Sequence, residues 1–188
     1  MDFDKIIDAR HSSRTFKSKR VAFGDILDSI DSAIKGPFAG NLNNLKFIIV
    51  EDDKKIKAIA KHASQTWINE ASTVVVVVAD DINLENQYGK RGCDYSRQQA
   101  GAAINTFMLK LVDLEINSCW VGAFDFEIIK EILKIPQNLH IEAIIPVGYE
   151  KGKGKKERKL DIESVTRWED FKTTMRPSLF KEAPVYKE

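Results

Sequence analysis

Apolar residues recur at helical spacing at Phe3, Ile6 and Ile7, and again at Ile26, Leu27, Ile30, Ala33 and Ile34, which predicts amphipathic helices over residues 3–9 and 24–34. Between them Arg10-His11-Ser12-Ser13-Arg14-Thr15-Phe16 is polar and basic and has no such stripe, so it reads as a loop or a short extended piece. Gly36-Pro37 ends the second helix, and residues 39–44 carry turn chemistry before a short buried strand, Phe47-Ile48-Ile49-Val50. Asp52 or Asp53 then caps a helix bearing Ile56, Ile59, Ala60 and Ala63. Val74–Val78 is β-branched at every position, as expected of a central strand covered on both faces.

Residues 80–95 are polar and without period and read as a surface connection. The strongest helical stripe follows over 96–116, with Ala100, Ile104, Phe107, Met108, Leu111 and Leu114 in line, and Gly101-Ala102-Ala103 lets another backbone come close. That helix is expected at the centre of the fold or at a subunit interface. Residues 118–124 form an apolar turn, Asp125 stands where a cap belongs before Ile128, Ile129, Ile132 and Leu133, and Pro136 lies past the helix end. Ile141–Val147 is a further strand, ended by Gly148.

Composition narrows the class. The chain has 188 residues, 43% of them hydrophobic, and 29 Lys+Arg against 28 Asp+Glu, which suits one globular domain and excludes a mainly disordered chain. A near-neutral charge argues against a dedicated nucleic-acid binder. No secretory leader is recognisable at the N-terminus, and no apolar run reaches the roughly 20 residues of a membrane span. The two cysteines, Cys93 and Cys119, form neither a disulfide framework nor a metal motif; Cys119 is expected in the core and Cys93 in a loop, in a reducing cytoplasm.

Charge is uneven, however: Lys151–Lys159 carries a net +5 within nine residues, and Trp168, Phe171, Phe180 and Tyr186 are scattered through the polar tail beyond it. Such an arm is expected to pack on its own core or on a partner subunit.

A serine hydrolase is excluded by the lack of a G-x-S-x-G elbow. Of three histidines, His62 reads as solvated on its helix and His140 as a surface loop residue. A phosphate-cradling P-loop is excluded because Gly148 and Gly152 enclose three residues instead of four, and no G-x-G-x-x-G follows a strand. Two basic clusters remain. Arg10-His11-Ser12-Ser13-Arg14 offers two guanidiniums and two hydroxyls suited to a dianionic phosphate, and is equally compatible with a solvated loop. The Lys156-Glu157-Arg158 cluster is compatible with a solvated tail, with a polyanion contact, or with folding back onto the same phosphate.

The ordered series R-H-S-S-R-T-F, P-F-A-G-N-L-N, W-V-G-A-F-D and K-x-R resembles the FMN-dependent nitroreductase family over residues 3–165. The resemblance implies an α+β fold, with helices around a mostly antiparallel sheet, built as an intertwined homodimer: residues 1–163 bind FMN and 164–188 form an arm on the partner subunit. It implies that Arg10, His11, Ser12 and Arg14 hold the flavin, Arg10 and Ser12 toward its phosphate and Arg14 near the pyrimidine edge. Asn41 and Asn43 would reach the ring's polar edge from the neighbouring subunit, and the Gly122 and Ala123 backbone would face N5. Lys156 and Arg158 would complete the phosphate clamp.

Departures fall in the loop, where Phe38, Asn43 and Asn44-Leu45 replace the family's usual residues, and at Gly122, where some members carry an acid. The implied activity is ping-pong transfer from NAD(P)H through flavin to an electron-poor small molecule such as a nitroaromatic or quinone, with no nucleic-acid or membrane partner. Alternatives are a specialised flavin reaction, such as dehalogenation, ring fragmentation or heterocycle oxidation, and a non-enzymatic polyanion binder using Lys151–Lys159.

Overall fold

The structure, a computed structural model, describes residues 2–152, 154 and 159–176, which divide into two compact units, Met1–Lys155 and Lys156–Glu188. The first unit is built on four strands: β1 (Leu45–Val50), β2 (Thr73–Ala79), β3 (Asn117–Ser118) and β4 (His140–Gly148). They lie in the order β1-β2-β4-β3, every pair antiparallel. Its helices are α1 (Phe3–Ala9), α2 (Phe23–Ala33), α3 (Asp53–His62), α4 (Ile82–Tyr88), α5 (Arg91–Asp113) and α6 (Phe126–Leu133).

The two-residue period of β2 explains the layers. Val75, Val77 and Ala79 face Ile26 and Ala33 of α2 and the stripe of α5, while Val74, Val76 and Val78 face Ile56 and Ile59 of α3 and Ile129 of α6. All seven residues of β2 are buried, as expected of a strand covered on both sides. Asp52 and Asp125 cap α3 and α6 by accepting from the Lys55 and Ile128 N–H groups.

Four expectations are overturned. Residues 80–95 are not a connection, because they form α4 and the first turn of α5, and Cys93 lies on that helix and not in a loop. The stripe is missing there because the buried face of early α5 is Gly92, Ser96 and Gln99, whose polar groups find partners in the fold. Cys119 is buried as expected. His140 opens β4 and does not lie in a loop, and His62 is half-buried where solvation was expected.

The second unit holds α7 (Ile162–Val165) and a turn in which the Asp170 carboxylate accepts from the Lys172 and Thr173 N–H groups, holding it below the usual carboxylate range. Leu160, Ile162, Val165, Phe171 and Met175 are exposed. Lys156 and Arg158, like Lys153 and Lys155, lie outside the described residues.

Candidate cofactor site

The segment after α1 is extended, and its backbone extends the sheet region. Ser12 bridges Ser118 in parallel, with the Ser13 N–H donating to the Ser118 carbonyl at 3.1 Å, and Phe16 bridges Glu150 antiparallel. Phe16 anchors the far end: it is buried, its ring lies 6.5 Å from that of Trp67, and its N–H donates to the Glu70 carboxylate. Behind it Gly148 is needed, since a methyl there would come within 2.9 Å of the Phe16 ring.

In an extended chain successive side chains point to opposite faces. Arg10, Ser12 and Arg14 accordingly share one face and bear together on the Cys119 thiol. Burial pushes that thiol up, opposed by the Arg14 guanidinium, the Ser12 hydroxyl and the Arg10 charge. Ser12 and Arg14 are exposed and Arg10 is half-buried, so two guanidiniums and a hydroxyl stand over one buried sulfur with access to solvent. His11 and Ser13 point the other way, onto Glu150.

The segment after β3 runs beside this face. Cys119 and Val121 donate from their N–H groups to the Pro146 and Ile144 carbonyls, at 3.3 and 2.9 Å. Gly122 and Ala123 follow at the surface, and their N–H groups take no partner among the described residues. The structure thus brings Arg10, Ser12 and Arg14 into one neighbourhood and puts Gly122 and Ala123 a few residues from it along the chain.

Asn41 and Asn43 lie elsewhere. They are exposed, Asn41 at a positive φ of 58°, and the Asn43 side chain accepts from the Leu45 N–H. A buried amide holds their loop: Gln99 accepts from the Ala39 N–H and donates to the Leu42 carbonyl and to Asn44. Asn44 donates to Ser96, Ser96 donates to Asp81, and Arg97 pairs with Asp81 and Glu142. Glu142 occupies the bulge where β4 loses step with β2.

Ser12 adjoins the Val147 end of β4 on the β3 edge, whereas Asn43 precedes Leu45, which pairs with Ala79 on the β1 edge. These are diagonal corners of the sheet, roughly 19 Å apart across the strands and roughly 20 Å along them.

Sequence reasoning counted Ser13 among the phosphate-binding hydroxyls, whereas the structure buries it on Glu150, and it did not single out Glu150 or Gln99. Alternation along residues 10–14 was the available signal for splitting His11 and Ser13 from the arginines; nothing local marks Glu150.

Comparison with known proteins follows from this geometry. The profile described as "Nitroreductase family" matches residues 7–72 and 59–149. The chain belongs to the nitroreductase family. A protein of Archaeoglobus fulgidus, whose name pairs NADH dehydrogenase with NAD(P)H nitroreductase, is 28% identical over 152 residues, 78% of this chain and 84% of that one. An iodotyrosine deiodinase of Thermotoga neapolitana is 24% identical over 156 residues, 74% of this chain and 84% of that one.

Among solved structures, a nitroreductase family protein of Clostridium novyi NT is 30% identical with a TM-score of 0.72, covering 80% of this chain and 87% of that one. An FMN-dependent nitroreductase of Clostridium difficile R20291 is 22% identical with a TM-score of 0.76, covering 88% and 98%. The latter likeness establishes the shared fold.

Proposed function

We propose that this nitroreductase-family protein is an FMN-dependent NAD(P)H oxidoreductase that passes electrons to an electron-poor acceptor such as a nitroaromatic or quinone in alternating half-reactions. One observation carries the reading: Arg10, Ser12 and Arg14 share an accessible face, with His11 and Ser13 turned away to anchor it. One guanidinium and a hydroxyl suit a phosphate dianion by charge-assisted hydrogen bonds and a second guanidinium suits the ring's pyrimidine edge, and the donor set therefore fits FMN. The name of the C. difficile protein and the nicotinamide in the A. fulgidus protein's name support the same cofactors.

FMN, when bound, supplies hydride uptake and release at its N5. The chain's own part is position and charge. Arg10 and Ser12 hold the phosphate. Arg14 offers a fixed cation to the ring's pyrimidine edge, where negative charge grows on reduction. The Gly122 and Ala123 N–H groups would be the donors toward N5 of a bound flavin. No side chain is assigned as acid or base.

Asn41 and Asn43 belong to this site only through a second copy, because their corner of the sheet is opposite to that of Ser12. We therefore propose a homodimer in which each loop serves the partner's flavin and residues 164–188 pack on the partner.

The likeness to an iodotyrosine deiodinase favours one second reading, reductive dehalogenation. The deciding experiment takes protein purified without added cofactor, records its visible spectrum, identifies any flavin released by boiling, and then follows bleaching with NADH or NADPH. FMN in the supernatant and reoxidation by a nitroaromatic are expected. A colourless protein that takes up no added FMN overturns the reading, and turnover of a halogenated phenol alone favours the second.

A further inference from the structure

On the face of the 10–14 segment turned away from the arginines, His11 Nδ1 lies 2.9 Å from the Ala9 carbonyl and Nε2 lies 2.9 Å from both Glu150 carboxylate oxygens. The Ser13 hydroxyl donates to Glu150 Oε1 at 2.8 Å and sits 3.1 Å from His11 Nε2. Nδ1 thus faces a backbone carbonyl and Nε2 faces the Glu150 carboxylate. The cluster is sheltered: the His11 and Glu150 side chains are 15% and 12% exposed and Ser13 is 1% exposed.

Glu150 is itself held, its N–H donating to the Asn117 side chain in β3. Gly154 closes the far side, where a methyl would overlap the His11 ring. Three pieces of chain distant in sequence thus meet on one imidazole: the 10–14 segment, the exit of β4, and β3 through Asn117.

We infer that His11 is a positioning residue and not a flavin ligand. With Ser13 and Glu150 it forms a clasp that fixes the rotation of the extended 10–14 segment, and so turns Arg10 and Ser12 toward the phosphate of the cofactor and Arg14 toward its ring. The inference rests on the FMN reading above. Its physical basis is alternation: a segment pinned through its odd-numbered side chains at 11 and 13 must present those at 10, 12 and 14 on the opposite face. Loss of the clasp frees the segment to rotate, and binding then has to bear the cost of ordering it.

The test titrates FMN, and separately riboflavin, into flavin-free wild-type protein and the His11→Ala, Glu150→Ala, Glu150→Gln, Gly154→Ala and double His11→Ala/Glu150→Ala variants, following flavin fluorescence. Expected is a weakening of FMN by about tenfold in either alanine variant, a double variant no worse than the worse single, and a smaller loss in Glu150→Gln. Gly154→Ala should behave like His11→Ala. Riboflavin, which lacks the phosphate and keeps only the ring contact of Arg14, should lose less than FMN in every variant.

Unchanged FMN affinity, additive losses, or equal losses for FMN and riboflavin overturn the clasp. Wild-type protein that binds no FMN sinks the cofactor reading and, with it, the clasp's role toward a phosphate. A second readout needs no flavin: on a Cys93→Ser background, His11→Ala and Glu150→Ala should speed alkylation of Cys119, because the covering face loosens. An unchanged rate in variants with wild-type melting curves overturns the clasp as an ordering device.

Discussion

A guanidinium at position 14 means little until the residues around it are placed. Near Cys119, beside Ser12 and Arg10, it becomes part of the face proposed to hold the flavin. Arg14→Ala is expected to cost about 1.5–3 kcal/mol of FMN binding, or about one to two decades in Kd, by fluorescence titration. A different single residue contributes to the pH dependence of stability. Burial raises the Glu142 carboxyl above the glutamate range, with Arg97 opposing and Asp81 adding to the rise. The folded protein then holds this proton more tightly than the unfolded chain does, so Glu142 contributes a loss of stability as pH rises from the glutamate range through its folded value. Glu142→Gln should flatten that part of the melting-temperature profile. The basic and hydroxyl residues of the site were legible from their types, whereas Glu142 and Glu150 were not, since a lone glutamate acquires meaning only from what the fold sets against it.

Elements were legible where burial is apolar. The stripes of α2, α3 and α6 and the β-branched run of β2 follow directly from burying apolar area at fixed period. The start of α5 was not, because Gly92, Ser96 and Gln99 are buried for close approach and hydrogen bonding. Gly92 lies against the α4 backbone, where a methyl would fall 2.5 Å from the Glu85 nitrogen. Gly92→Ala should therefore destabilise by about 1–3 kcal/mol, read by denaturant unfolding. Gln99→Leu removes all three bonds to the 39–44 loop, and amide hydrogen exchange at Ala39, which donates to Gln99, should quicken while that of β2 stays protected.

At the scale of the whole molecule the two candidate halves of the site stand at opposite corners of one sheet, which is the physical argument for a second copy. Phe3, Ile7, Phe23 and Leu27 on α1 and α2, and Leu160, Phe171 and Met175 farther along, are exposed in the single chain. Light scattering after size exclusion should give twice the 21.3 kDa of one chain. Removal of residues 164–188 should shift that mass toward the monomer and release FMN. A monomeric full-length protein would contradict the homodimer.

The sequence by itself determined the periods, the cap at Asp125, the family and the residue types of the site, because each depends on local spacing or on an ordered set of motifs. The tertiary structure alone decided that Arg10, Ser12 and Arg14 face away from His11 and Ser13, that Glu150 and Gly154 meet the imidazole, and that a polar network holds the 39–44 loop. The reason is that charge and hydrogen bonding act through space at about 3 Å, between residues separated by up to 139 positions in the chain.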